Sequence, residues 1–182
     1  MLTAQIRADK LMSAINLLHD ACVGGDESLI KSTYNSYEQV LYEVNEGSSS
    51  IFGKNSLAME ALESCAASPG TVPLWGQIGE FALIVDGVET LVKYHPQYHR
   101  WNAMHFDFYA LDQFKPCISK TGFKSLFINR IRFDGDVRTF AERAFKDQMQ
   151  IKLPKPKKAY TPAWYVRPAT LQESSGQGAF NF

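Results

Sequence analysis

The spacing of apolar residues changes once along this chain, near Pro73, and that change limits the fold class more than any other feature. Before it, Ile6, Leu11, Ile15, Leu18 and Cys22 recur at steps of three to five residues, which lines one apolar stripe along a helix. Gly24-Gly25 ends that helix, and Asp26 is placed to cap a second one carrying Leu29, Ile30, Tyr34, Tyr37, Val40, Leu41 and Val44. A connection this short makes the two helices antiparallel neighbours. Gly47-Ser48-Ser49-Ser50 is a break, Asn55 is the expected cap of a third, shorter helix through Ala67, and Pro69-Gly70 closes it.

After Pro73 the pattern shortens to alternation. Phe81–Val85, Asp86-Gly87 and Val88–Tyr94 read as two strands joined by a tight turn; a helix across Gln77–His95 is the rival reading, against which Gly87 and the β-branched content speak. Met104, Phe106, Phe108 and Ala110 then share one face of a third strand within Trp101–Leu111, and Phe123–Phe133 is a fourth. Asp134-Gly135-Asp136 turns the chain into a last helix, Val137–Met149, with Val137, Phe140, Ala141, Ala144 and Phe145 on one side. The expectation is an α+β protein: a helical subdomain over 1–68, a mainly antiparallel sheet with one covering helix over 73–150, and an extended basic and aromatic tail over 151–182.

Composition enters through charge. The net formal charge is zero, yet residues 1–90 hold four bases against twelve acids, and residues 91–182 hold fifteen bases against seven. Such asymmetry points to a polyanion partner for the basic half, or to neutralisation of one half by the other. On the fourth strand, Lys124, Leu126, Ile128, Arg130 and Arg132 alternate onto one side, while Phe123, Phe127, Ile131 and Phe133 take the other. On the last helix, Arg138, Arg143 and Lys146 fall within an arc of roughly 140° at about 100° per residue. In the tail, Lys152, Lys155, Lys157 and Lys158 precede Tyr160, Trp164, Tyr165 and Arg167. Bases interleaved with aromatics suit single-stranded nucleic acid, an arm that docks in a protein groove, or a segment folded back on its own domain.

Chemistry is less well supported. His95, His99 and His105 lie within eleven residues, followed by Asp107 and Asp112. These are ligand types for zinc, iron or manganese, and a metal-dependent enzyme would use His99, His105 and Asp107. Their spacing matches no metalloenzyme signature. Cys117 with His105 as base is a further nucleophile–base pairing, without an oxyanion-hole pattern beside it. Ser119-Lys120-Thr121-Gly122 lacks the upstream glycine of a phosphate loop and reads as a turn. Three widely spaced cysteines suit a reducing cytoplasm. The longest apolar run, Phe81–Val85, is far short of the roughly 20 residues of a membrane helix, and Arg7, Asp9 and Lys10 interrupt any early apolar leader.

The reading that follows is a cytoplasmic, non-enzymatic nucleic-acid-associated accessory or regulatory protein, needing no cofactor and no membrane. Its contacts would come from Lys120, Lys124, Arg130, Arg132, Arg138, Arg143, Lys146, Lys155, Lys157, Lys158, Tyr160, Trp164 and Tyr165. The alternative partner is a protein complex that processes nucleic acid, inhibited in the manner of an anti-defence protein. A homo-oligomer is compatible with either.

Overall fold

A computed structural model of the chain describes residues 2–48, 56–98, 103–112, 114–115, 117–128, 135–149 and 155–167. The class is α+β, with helices first and a four-stranded antiparallel sheet after them.

Helix α1 (Ala4–Gly24) starts where the Thr3 hydroxyl accepts from the Ile6 amide, and ends at Gly25 in the left-handed region. Helix α2 (Glu27–Val44) is capped by Asp26, whose carboxylate accepts from the Leu29 amide at 3.0 Å. Lys10, near the start of α1, pairs with Glu43, near the end of α2, as antiparallel neighbours require. Helix α3 (Leu57–Ser64) is capped by Ser56 and not by Asn55, which lies outside the described residues; Ser56 Oγ accepts from Met59 N at 3.2 Å. The helix also ends earlier than expected, with Cys65 at its C-cap. Among the described residues no helix is long and apolar enough to cross a membrane.

The sheet is a meander in the order β1 (Gly79–Val85), β2 (Val88–Tyr98), β3 (Ala103–Ala110), β4 (Phe123–Ile128). Asp86 and Gly87 both have positive φ, 49° and 77°, the pair of left-handed residues that a two-residue hairpin needs to match strand twist. Period-two alternation then divides the sheet cleanly. Phe81, Leu83, Val85, Val92, Tyr94, Met104, Phe106, Phe108 and Ala110 point to one side and are buried. That side meets α1, α2, α3 and helix α4 (Val137–Met149) in one cluster that includes Leu11, Ile15, Leu18, Tyr37, Leu41, Leu62, Val137, Ala141 and Phe145.

Trp75, in the connection between α3 and β1, sits where these layers meet. It is fully buried and meets Tyr94 and Phe140 edge-on, with ring centroids 5.7 Å away in each case. Its indole N–H donates to the Gly135 carbonyl at 2.9 Å, just before α4 begins. Tyr37 from α2 donates its hydroxyl proton to the neighbouring Gly76 carbonyl, also at 2.9 Å. A large aromatic with a satisfied polar atom thus ties helices, sheet and α4 together.

The two sides of β4 alternate as expected, but the side that carries Lys124 is the one turned toward the core. Leu126 stands opposite Phe106 and Ile128 opposite Met104, so both pack toward the core, and Lys124, opposite Phe108, shares that side. Phe123, Ser125 and Phe127 take the face away from the helices, where Phe123 is 42% and Phe127 56% exposed. Register with β3, already committed to burying Phe106 and Phe108, decides the side on which β4 is buried. Arg130, Arg132, Ile131 and Phe133 lie outside the described residues.

Candidate functional site

The sheet face away from the helices carries cross-strand rows of polar and aromatic residues. One runs Glu80, Lys93, Asp107, Ser125; the next Ala82, Leu91, Tyr109, Phe123; a third His95, His105, Phe127. Over this face lies the C-terminal segment 155–167. It has no helix or strand of its own and is held by backbone and side-chain bonds. Lys157 N donates to the Lys120 carbonyl at 2.9 Å and Tyr160 N to the Ala110 carbonyl at 2.7 Å. Pro156 and Pro162 are buried.

The far end of the segment is fastened by two carboxylates, Glu89 from the acidic half of the chain and Asp112 from the basic half. Glu89 is 4% exposed; it accepts from the Tyr165 hydroxyl at 2.9 Å and from Arg167 Nε at 3.1 Å, with Lys115 at 3.5 Å. Arg167 also reaches Asp112 at 2.8 Å. A buried carboxylate is tolerable only with such partners, and here three long side chains from distant parts of the sequence supply them. Burial, then the hydrogen bond to Glu89, push the Tyr165 phenol up to about 12. The Trp164 indole lies against Gly70 and donates to Glu80, which also pairs with Lys93 at 3.2 Å.

Trp164 and Tyr165, expected as anchors for a partner, are therefore engaged with their own sheet. Tyr160 is 45% exposed; Lys93 sits 4.9 Å from its ring centre and the Tyr109 ring 5.5 Å away. The lysines are arranged differently. Lys120, Lys155, Lys157 and Lys158 are all exposed, and none has an ion-pair partner among the described residues. The 120–157 backbone bond brings them to one corner, and Pro156 and the Lys158 carbonyl lie directly on Gly122. The turn before it closes through Gly122 N to the Ser119 carbonyl at 3.1 Å.

The remaining bases stand elsewhere. Arg138, Arg143 and Lys146 are exposed on α4, whose Phe140 and Phe145 pack on Phe106 and Phe108 from the helix side of the sheet. Arg138 spends part of its charge on Glu142, 3.9 Å away, and its guanidinium lies 5.8 Å from the Phe81 ring. Lys124 is on that same side. The basic residues are thus divided between the two sides of the sheet, with the four-lysine corner beside the C-terminal segment.

The His/Asp stretch forms a polar row without a nucleophile. Asp107 lies 3.0 Å from His105 Nε2 and accepts from the Ser125 hydroxyl, so the carboxylate stands between imidazole and hydroxyl. That order sets the carboxylate, and not the imidazole, against the Ser125 hydroxyl, unlike a Ser-His-Asp triad. Cys117 is buried, and burial pushes its thiol up, away from the reactive thiolate. Among the described residues no group of three or more His, Cys, Asp and Glu is placed to hold a metal; His99 lies outside them.

His95, directly opposite His105, has its pKa lowered, first by burial and then by that second imidazole, against the opposing pull of Asp107. A base whose folded pKa is depressed binds fewer protons folded than unfolded, so stability rises with pH across that window. The contribution is complete above the unfolded value of about 6.5 and is lost as pH falls below it. Urea melts between pH 7.5 and pH 5 should therefore show falling stability, and His95→Asn should flatten the dependence. An identical slope in the variant would assign the effect elsewhere.

With this geometry in place, the comparisons with known proteins bear on the half that carries it. Residues 78–164 match a family model described as KlcB third domain. The matched stretch opens one residue before β1 and closes at Trp164, and the Trp164–Glu80 bond joins its two ends. Two Escherichia coli proteins, each called Protein KlcB, are similar over more of the chain. One is 33% identical over 134 residues, covering 69% of this chain and 33% of that protein. The other is 32% identical over 114 residues, covering 62% of this chain and 25% of that protein. The chain thus spans a third or less of the length of the KlcB relatives it matches. No solved structure matches it.

Proposed function

We propose that the chain is a non-enzymatic accessory or regulatory module that contacts nucleic acid through the corner formed by Lys120, Lys155, Lys157 and Lys158. The observation that carries this reading is that four exposed lysines without a carboxylate partner among the described residues stand on backbone segments held together by the Lys157–Lys120 bond, in a chain of zero net charge. Ammonium groups that sit together in water repel one another, and a polyphosphate relieves that repulsion while releasing its own counterions. The buried Cys117 and the Ser125–Asp107–His105 order favour a binding role over a catalytic one.

Salt dependence tests this reading. Four phosphate contacts on a single strand give a slope of log affinity on log salt near −2.8, about 50-fold weaker binding at 200 mM than at 50 mM. The combined variant Lys120→Gln, Lys155→Gln, Lys157→Gln, Lys158→Gln should lose most of that slope. Affinity indifferent to ionic strength in the parent protein would overturn the reading.

A protein partner is the second reading, and one observation favours it. Ile6 and Leu17, eleven residues apart and hence on one side of α1, are each half-exposed or more. Co-purification of a stable protein partner by a chain with no affinity for bare nucleic acid would select it.

A further inference from the structure

We infer that the nucleic acid met by this surface is single-stranded, with its bases stacked on Phe123, Phe127 and Tyr160. The inference rests on the nucleic-acid reading above and narrows its substrate class.

Among the described residues β4 is an edge strand, and natural edges are usually blunted by charge, proline or cover. Here the face turned away from the helices carries Phe123 and Phe127, four residues and so about 13 Å apart along the strand. Both are substantially exposed. Each ring is braced by another aromatic. Phe123 lies 4.9 Å from Tyr109, which in turn meets Tyr160 at 5.5 Å. Phe127 is stacked on His105 at 4.5 Å with an angle of 22° between planes. Rings held this way lose little freedom when a base adds to the stack, so the stacking energy is retained as affinity.

The electrostatics of the face agree with an anionic ligand. Its carboxylates are already engaged: Glu80 with Lys93 and Trp164, Glu89 with Lys115, Tyr165 and Arg167, Asp107 with His105 and Ser125. The lysine corner lies at the Phe123 end of β4, next to the Tyr160 segment. Cations that track a phosphate backbone beside rings that accept any base are what a sequence-tolerant single-strand site requires. Bases inside a duplex already stack on each other and cannot add to these rings without unpairing.

The test compares a labelled oligothymidylate of about 20 nucleotides with a duplex of equal length, each titrated into the full chain. The parent should favour the single strand. Phe123→Ala and Phe127→Ala should each weaken single-strand binding about tenfold, the lower part of the range for one stacked base, with the salt slope unchanged. Circular dichroism of both variants should match the parent, since the substituted side chains are substantially exposed. Wild-type single-strand affinity in both phenylalanine variants, alongside a lysine variant that loses its salt slope, would overturn the stacking inference and leave the nucleic-acid reading standing. No binding of either probe at any salt would sink both. A concentration-dependent dimer abolished by Phe127→Ala would assign the exposed edge to a second copy of the chain and also overturn the inference.

Discussion

Replacing Trp75 with alanine should lower the free energy of unfolding by about 3–5 kcal/mol, the range for deleting a large buried aromatic. The side chain has no exposed surface, and its removal leaves a cavity bordered by Tyr94, Phe106 and Phe140, three rings from different elements. It also strips the Gly135 carbonyl of its indole donor where α4 begins. Trp75→Phe loses that hydrogen bond and only part of the packing, so it should fall between parent and alanine variant. Urea unfolding followed by far-ultraviolet circular dichroism measures both. A loss under about 1 kcal/mol in the alanine variant would mean the layers are not held together through this residue.

A second, more local effect is expected at Gly122. Its φ of +80° lies in the region that side chains rarely adopt, and a Cβ there would collide with the Lys158 carbonyl. Left-handed strain alone costs roughly 1–2 kcal/mol, and the backbone collision adds to it. Gly122→Val should therefore lift residues 155–160 off the turn without altering any charge. The Lys157 and Tyr160 amides, now bonded to Lys120 and Ala110, report this directly by hydrogen exchange. Their protection should fall by about thirtyfold, the equivalent of roughly 2 kcal/mol. Unchanged protection at both amides would show that the segment is held by the Glu89 end alone.

What was legible before the structure follows from what is local. The helical stripe from Leu11 to Cys22, the Asp26 cap, the Asp86-Gly87 hairpin and the Val137–Phe145 face all depend on neighbours within a turn or a strand, and each stands where the spacing placed it, while Ile6, which the spacing put on the same stripe, is half exposed. The sense of β4 did not follow from its own residues. Phe123 and Phe127 are the more hydrophobic set in isolation, but the register with Phe106 and Phe108 turns Leu126 and Ile128 inward. That register exposes the two phenylalanines.

The C-terminal clasp was hidden for the same reason. Glu89 reads as an ordinary polar residue of a hairpin, yet its partners Lys115, Tyr165 and Arg167 lie 26, 76 and 78 residues away. The charge imbalance between the two halves is in part neutralised within the fold. Glu80 and Glu89 of the acidic half neutralise Lys93, Lys115 and Arg167 of the basic half, while the lysines at 120 and 155–158 have no such partner among the described residues. Trp75 had a weaker signal, a lone tryptophan between Pro73 and Gly76 in a connection with no period of its own.

The account rests on lysines gathered by a folded-back segment, not on charge in general, and the salt slope of Gly122→Val separates the two. Parent and variant carry the same charges, so affinity for a single strand is measured for each across 50 to 200 mM salt. The expected result is a slope near −2.8 in the parent and a markedly shallower one in the variant, accompanied by loss of Tyr160 amide protection. Equal slopes in two proteins whose Tyr160 amides differ in protection would contradict it.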